Sequence, residues 1–112
     1  MIAAFAIAAL IAGSREDALA ARERWRSCVI NRATIYATQS EPAETLARAA
    51  LGRCIQERGA FRDAIRSAER GPLGLGLPPR GEDIDRVVGD VAADISQMAI
   101  AAIIDRRAAG PQ

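Results

Sequence analysis

The sequence predicts an all-α protein: a disulfide-stapled antiparallel helical hairpin, completed by a third amphipathic helix into a three-helix bundle. Three observations carry that expectation. Apolar residues fill 50% of the 112 positions while aromatics fill only 4%, and most of the apolar content is alanine, the strongest helix former. Three segments repeat apolar residues at spacings of three and four, the helical period. Cys28 and Cys54 each lie thirteen residues from Glu41, one before it and one after. At 1.5 Å per residue, two helices folding back at that point hold both thiols about 20 Å from the turn. Level positions on touching helices are what a disulfide's Cα separation of roughly 4.4–6.8 Å requires.

Residues 1–20 read as a signal-peptide-like leader. Ile2 to Ala12 is an apolar run, matching a secretory core segment and too short to span a bilayer as a helix. Ala18-Leu19-Ala20 offers a small-x-small cleavage site before Ala21, and Ala12-Gly13-Ser14 an earlier one. The alternative is an ordinary N-terminal helix over 2–12, with Ser14 and Asp17 capping the next one.

Residues 21–108 then form a single helical domain: hairpin 21–70, linker 71–81 and third helix 82–108, followed by a tail at 109–112. The first helix runs from Ser14 or Ala21 to Thr38, with an apolar stripe of Ala18, Ala21, Trp25, Cys28, Val29, Ile35 and Tyr36 interrupted at Arg32. Ser40-Glu41-Pro42 makes the turn, since proline is tolerated in a first helical turn, with Ser40 or Glu41 as the cap. The second helix runs from Pro42 to Arg70. Its stripe is Leu46, Ala47, Ala50, Leu51, Cys54, Ile55, Phe61, Ala64, Ile65 and Ala68. Gly52 and Gly59 suggest close approach of a neighbour there. The Gly and Pro content of GPLGLGLPPRG excludes regular helix. The third helix is the most regular, with Ile84, Val87, Val88, Val91, Ile95, Met98, Ala99, Ala102 and Ile103 on one face and Asp83, Asp85, Asp90 and Asp94 on the other. Its Met98–Ile104 stretch is apolar all round, which calls for burial or for a partner surface. Core positions are expected at Trp25, Phe61, Leu51, Ile55, Val88, Val91 and Ile95.

Charge excludes some functions. The net charge is +1, so nothing draws the whole chain to nucleic acid or anionic membrane. All fifteen basic residues are arginine. They are unevenly placed: residues 21–70 hold ten Arg against six Asp and Glu, and residues 82–107 hold three against six. An acidic third helix packed beside a basic hairpin explains this. A basic face for an acidic partner is the functional alternative, with Arg22, Arg26, Arg48 and Arg62 as its candidates.

Few motifs carry chemistry. A Cys28–Cys54 disulfide would close a loop worth roughly 3.5 kcal/mol in chain entropy; two free buried thiols are the alternative. Both cysteines are expected mid-helix on the apolar face, where no thiolate is stabilised. Two Cys without His fall short of a zinc site, so no metal or cofactor is expected. Trp25 is expected to pack near Phe61, or else to stack a ligand or meet Arg58 as a cation–π pair. Arg32 is expected to lie along the apolar surface, or to pair with Asp90 or Asp94. Gly71, Gly74 and Gly76 imitate a phosphate loop without the strand or the Gly-Lys-Ser/Thr that one needs. Histidine is absent, removing the commonest general base. Asp90 and Asp94 read as a solvated face.

Trp25-x-x-Cys28, Tyr36-Ala37, Glu41-Pro42-Ala43-Glu44, Ala49-Ala50-Leu51 and Cys54 together resemble a set of small, uncharacterised exported proteins of alphaproteobacteria. The likeness covers residues 21–70 and implies a helical, cysteine-paired module with no activity to carry over. The functional expectation is a non-enzymatic protein, periplasmic or secreted, acting through a protein-interaction surface, with no span in the mature chain and a homodimer open to it through Met98–Ile104. The alternatives are a cytoplasmic helical adaptor with an uncleaved N-terminal helix and free thiols, and a small envelope enzyme using an Asp/Arg site.

Overall fold

The computed structural model describes residues 2–70 and 80–110. Among these residues four helices follow one another: α1 (Ile2–Tyr36), α2 (Ala43–Arg53), α3 (Ile55–Arg70) and α4 (Gly81–Ala109). No strand occurs among the described residues. Three arms are present, as the periodicity predicts, but the second arm is two helices and not one.

The break falls at Cys54, with backbone φ −112° and ψ 35°. Its N–H donates to the Leu51 carbonyl at 3.2 Å, three residues back, and its own carbonyl accepts from the Arg58 N–H at 3.1 Å. One turn is thus tightened before the α-helical pattern resumes. The site combines two local features: Gly52 lowers helix propensity just upstream, and Cys54 is the residue bonded to Cys28.

The α1–α2 turn is built without a side-chain cap. Pro42 is the N-cap of α2, its carbonyl accepting from Thr45 and Leu46, so neither Ser40 nor Glu41 fills the role expected of it. At the far end, α4 starts at Gly81, a residue assigned from sequence to the linker. Arg80 is its N-cap, Glu82 and Asp83 lie in its first turn and Arg106 and Arg107 in its last, complementing the helix dipole. Gly110 ends it at φ 76°, a left-handed conformation that glycine adopts without a Cβ clash. The linker leucines (Leu73, Leu75, Leu77), the glycines at 71, 74 and 76, and Pro111-Gln112 lie outside the described residues.

One continuous apolar cluster joins the helices. α1 packs along α2, α3 and α4, and both α2 and α3 touch α4. From α1 the cluster takes Ala21, Trp25, Val29 and Ala33, a four-residue repeat that Ala37 continues just past the helix end; α2 adds Leu46, Ala47 and Ala50. Cys54, Phe61 and Ile65 complete the second arm, and Ile84, Val88, Ile95, Ala99 and Ile103 come from α4. The alanines let the helix backbones approach closely, and Trp25 is the largest fully buried side chain. α1 and the second arm are antiparallel, whereas α4 runs parallel to α1, its Arg107 reaching the end of α1.

Several expected core positions differ. Ile55 is 66% exposed. A helix turns about 100° per residue, so a stripe centred on Cys54 leaves its immediate neighbour on the flank. Ile35 is 63% exposed for the same reason, because the stripe of α1 continues through Ala33 and Ala37. Leu51 and Val91 are half-buried and pack against the cluster's edge. Gly52 and Gly59 are not points of close approach: a Cβ at either would meet nothing within 4 Å.

Candidate functional site

The most built-up part of the molecule is the middle of the hairpin. Cys28 on α1 is disulfide-bonded to Cys54, with Cα atoms 6.1 Å apart and 26 residues between them in sequence. One helical turn before Cys28, Trp25 is fully buried, its ring centroid 5.7 Å from that of Phe61 and the planes tilted by 35°. The separation falls within the range of about 4.5–7 Å over which aromatic pairs attract. Among the described residues, the buried indole Nε1–H has no hydrogen-bond partner. Trp25 therefore stands in the core and is not presented to solvent as a stacking platform, and Arg58 is exposed.

Glu57 adds a feature the sequence reading missed. It lies in the first turn of α3, three residues after Cys54 and hence on the same side of the helix. One carboxylate oxygen and the two cysteine sulfurs all lie within 4.8 Å of one another. A shallow open cleft of about 260 Å³, lined by Ala21, Arg24, Gln56, Glu57 and Ala60, borders this point. The signal in sequence is Cys54-x-x-Glu57, which gains meaning only once Cys28 is known to sit opposite.

The four arginines proposed as contacts are not equivalent. Arg62 is half-buried and forms an ion pair with Asp85, joining α3 to α4. This pair is the acidic-helix-on-basic-hairpin matching that the charge pattern suggests. Arg26 is engaged within α1, its Nε donating to Glu23 at 2.9 Å. That hydrogen bond holds the Glu23 carboxyl below its ordinary range and raises the Arg26 guanidinium. Arg22 is half-buried and Arg48 exposed. Arg32 is exposed and forms no ion pair with Asp90 or Asp94 among the described residues.

Arg107 performs the long-range work that sequence could not assign. Its Nε donates to the Ala37 carbonyl at 3.1 Å, and one terminal nitrogen donates to the Gln39 and Glu41 carbonyls at 2.7 and 2.6 Å. The planar fork suits several acceptors at once. It satisfies carbonyls left over at the end of α1 and through the turn, tying the last turn of α4 to the hairpin.

The outer face of α4 is apolar in part. Within Met98–Ile104, Ala99 and Ile103 are buried whereas Met98 is 40% and Ile104 54% exposed. By length and composition, α4 is long and apolar enough to cross a membrane, a property not expected from the sequence. Asp90 and Asp94 sit within it, each costing about 2.5–3.5 kcal/mol at a bilayer centre, and its inner face is already packed on the other helices. No family model, curated protein or solved structure matches the chain.

Proposed function

We propose that this is a non-enzymatic exported helical protein, resident in the periplasm or cell envelope and acting through a protein-interaction surface. The observation that carries the reading is the Cys28–Cys54 disulfide, since such bonds persist in oxidising compartments and suit small secreted domains. The placement of the core adds support. Among the side chains described, those of residues 15–17, 19 and 20 are exposed, Ala18 is half-buried, and Ala21 is the first buried one. Cleavage after Ala20 would leave the described cluster whole. The absence of histidine and the exposure of Asp90 and Asp94 favour binding over catalysis. For contacts, exposed Arg48, which has no ion pair among the described residues, half-buried Arg22 and the exposed Met98 and Ile104 are the offered groups, the last two also fitting a homodimer.

A second reading has its own observation. α1 runs unbroken from Ile2 through Gly13-Ser14 into the hairpin, which suits a cytoplasmic adaptor that keeps its N-terminal helix. Cell fractionation of the tagged chain, with the intact mass of the recovered protein, separates the two. Export predicts a periplasmic protein beginning at Ala21. A cytoplasmic protein retaining Met1 would remove the export reading.

A further inference from the structure

Opening the Cys28–Cys54 bond would leave two thiols and a carboxylate around one point. One ligating atom from each of Cys28, Cys54 and Glu57 lies within 4.8 Å of the others. The donors come from different places in the chain: the C-terminal third of α1, the α2–α3 junction and the first turn of α3. Cys54 is buried, and Cys28 and Glu57 are half-buried. Tetrahedral zinc holds sulfur at about 2.3 Å and oxygen at about 2.0–2.2 Å, which places neighbouring ligand atoms roughly 3.6–3.8 Å apart. The sulfurs must separate to that spacing and the carboxylate oxygen must close to it. The cysteine Cα atoms are 6.1 Å apart, and opening the bond frees both side chains to change rotamer. The cleft is lined by Glu57 and by neither cysteine, so the carboxylate is the ligand that solvent reaches from that side.

We propose that the reduced protein binds a thiophilic divalent cation through the Cys28 and Cys54 thiolates and the Glu57 carboxylate, with water in the fourth position. This inference concerns the reduced chain and does not rest on the export reading. A dithiol reductant gives two electrons and two protons to the Cys28–Cys54 bond and becomes a disulfide itself. Two cysteine thiols result. The cation displaces both thiol protons to solvent, and the ionised Glu57 carboxylate completes the protein ligands, leaving the cation and its three ligands with one net negative charge. A thiolate set selects soft or borderline ions such as Zn²⁺ over Mg²⁺ or Ca²⁺. α1 and the second arm therefore remain joined in both states, by a covalent bond when oxidised and by the ion when reduced.

The test uses the full chain, reduced with a dithiol and freed of it by anaerobic desalting. Co²⁺ titration should give thiolate-to-metal charge-transfer absorption that saturates at one ion per chain and is displaced by Zn²⁺. The oxidised protein should give none. Cys28→Ser should abolish the band, and Glu57→Gln should weaken Zn²⁺ binding at least tenfold. Helicity and the thermal midpoint of the reduced chain, read by circular dichroism, should rise with Zn²⁺ and level off at one equivalent. No absorption band would overturn the proposal. So would equal Zn²⁺ affinity in Glu57→Gln, which leaves two thiols without a third ligand. A reduced chain that is unfolded and that Zn²⁺ does not refold overturns it as well.

Discussion

Removing the cross-link should cost this bundle a large share of its stability. The perturbation is the double substitution Cys28→Ala, Cys54→Ala, which deletes the bond without placing a polar hydroxyl in the core. The 26-residue separation gives a loop-closure entropy of about 2.1 + 1.5R ln 26, or roughly 12 cal/mol/K, equivalent to about 3.5 kcal/mol at 25 °C. The lost sulfur at the fully buried Cys54 adds about 1 kcal/mol of burial. Domains of this size are stable by only about 5–15 kcal/mol, so the variant should sit near the lower limit of folding. Urea unfolding followed by far-ultraviolet circular dichroism reads the change. With a slope of about 1–3 kcal/mol/M, the midpoint should fall by about 1.5–4.5 M. The thermal midpoint should drop on the order of 15 °C or more. A midpoint shift below about 0.3 M at unchanged slope would refute the reasoning, because the hairpin would then be fixed without its staple.

Other substitutions probe separate parts of the account. Gly59→Ala has open space for its Cβ and should stabilise the chain by about 0.5–1 kcal/mol in the same urea assay. Arg107→Ala should cost about 1–2 kcal/mol by freeing three carbonyls, and Arg107→Lys should recover less than half, since an ammonium lacks the fork. Ile55→Gln should change stability by less than about 0.5 kcal/mol, whereas Ile95→Ala should cost about 2–5 kcal/mol; equal costs would contradict the burial assigned to them. Glu23 should titrate below the ordinary carboxylate range by NMR, and Arg26→Ala should return it. Because its folded value is lowered, its small contribution is present above the unfolded value and is lost as pH falls through the folded one.

What the sequence made legible was local or symmetric. The equal spacing of Cys28 and Cys54 about Glu41 required only a helical rise and a turn. The third helix was delimited by Gly81 and Gly110 to within a residue or two. The misses have physical causes. The break at Cys54 comes without a proline or a glycine at that residue, at a position bonded to a residue 26 away. Ile55 and Ile35 were placed inside because apolar character alone does not separate positions about 100° apart on a helix. Gly52 and Gly59 looked like contact points, yet a glycine's missing side chain is equally compatible with open solvent. Arg107 acts on main-chain carbonyls some 70 residues away, and main-chain acceptors leave no residue-type signal. Glu57 was one carboxylate among fourteen acidic residues until the fold set it beside two sulfurs.

The most direct measurement is a tryptic map of the native protein, blocked with alkylating agent and never reduced. Cleavage after arginine places Cys28 in residues 27–32 and Cys54 in residues 54–58. The account predicts one linked species of these two peptides, which separates into its halves on reduction. Two alkylated, unlinked peptides would contradict it, removing the staple together with the compartment argument that rests on it.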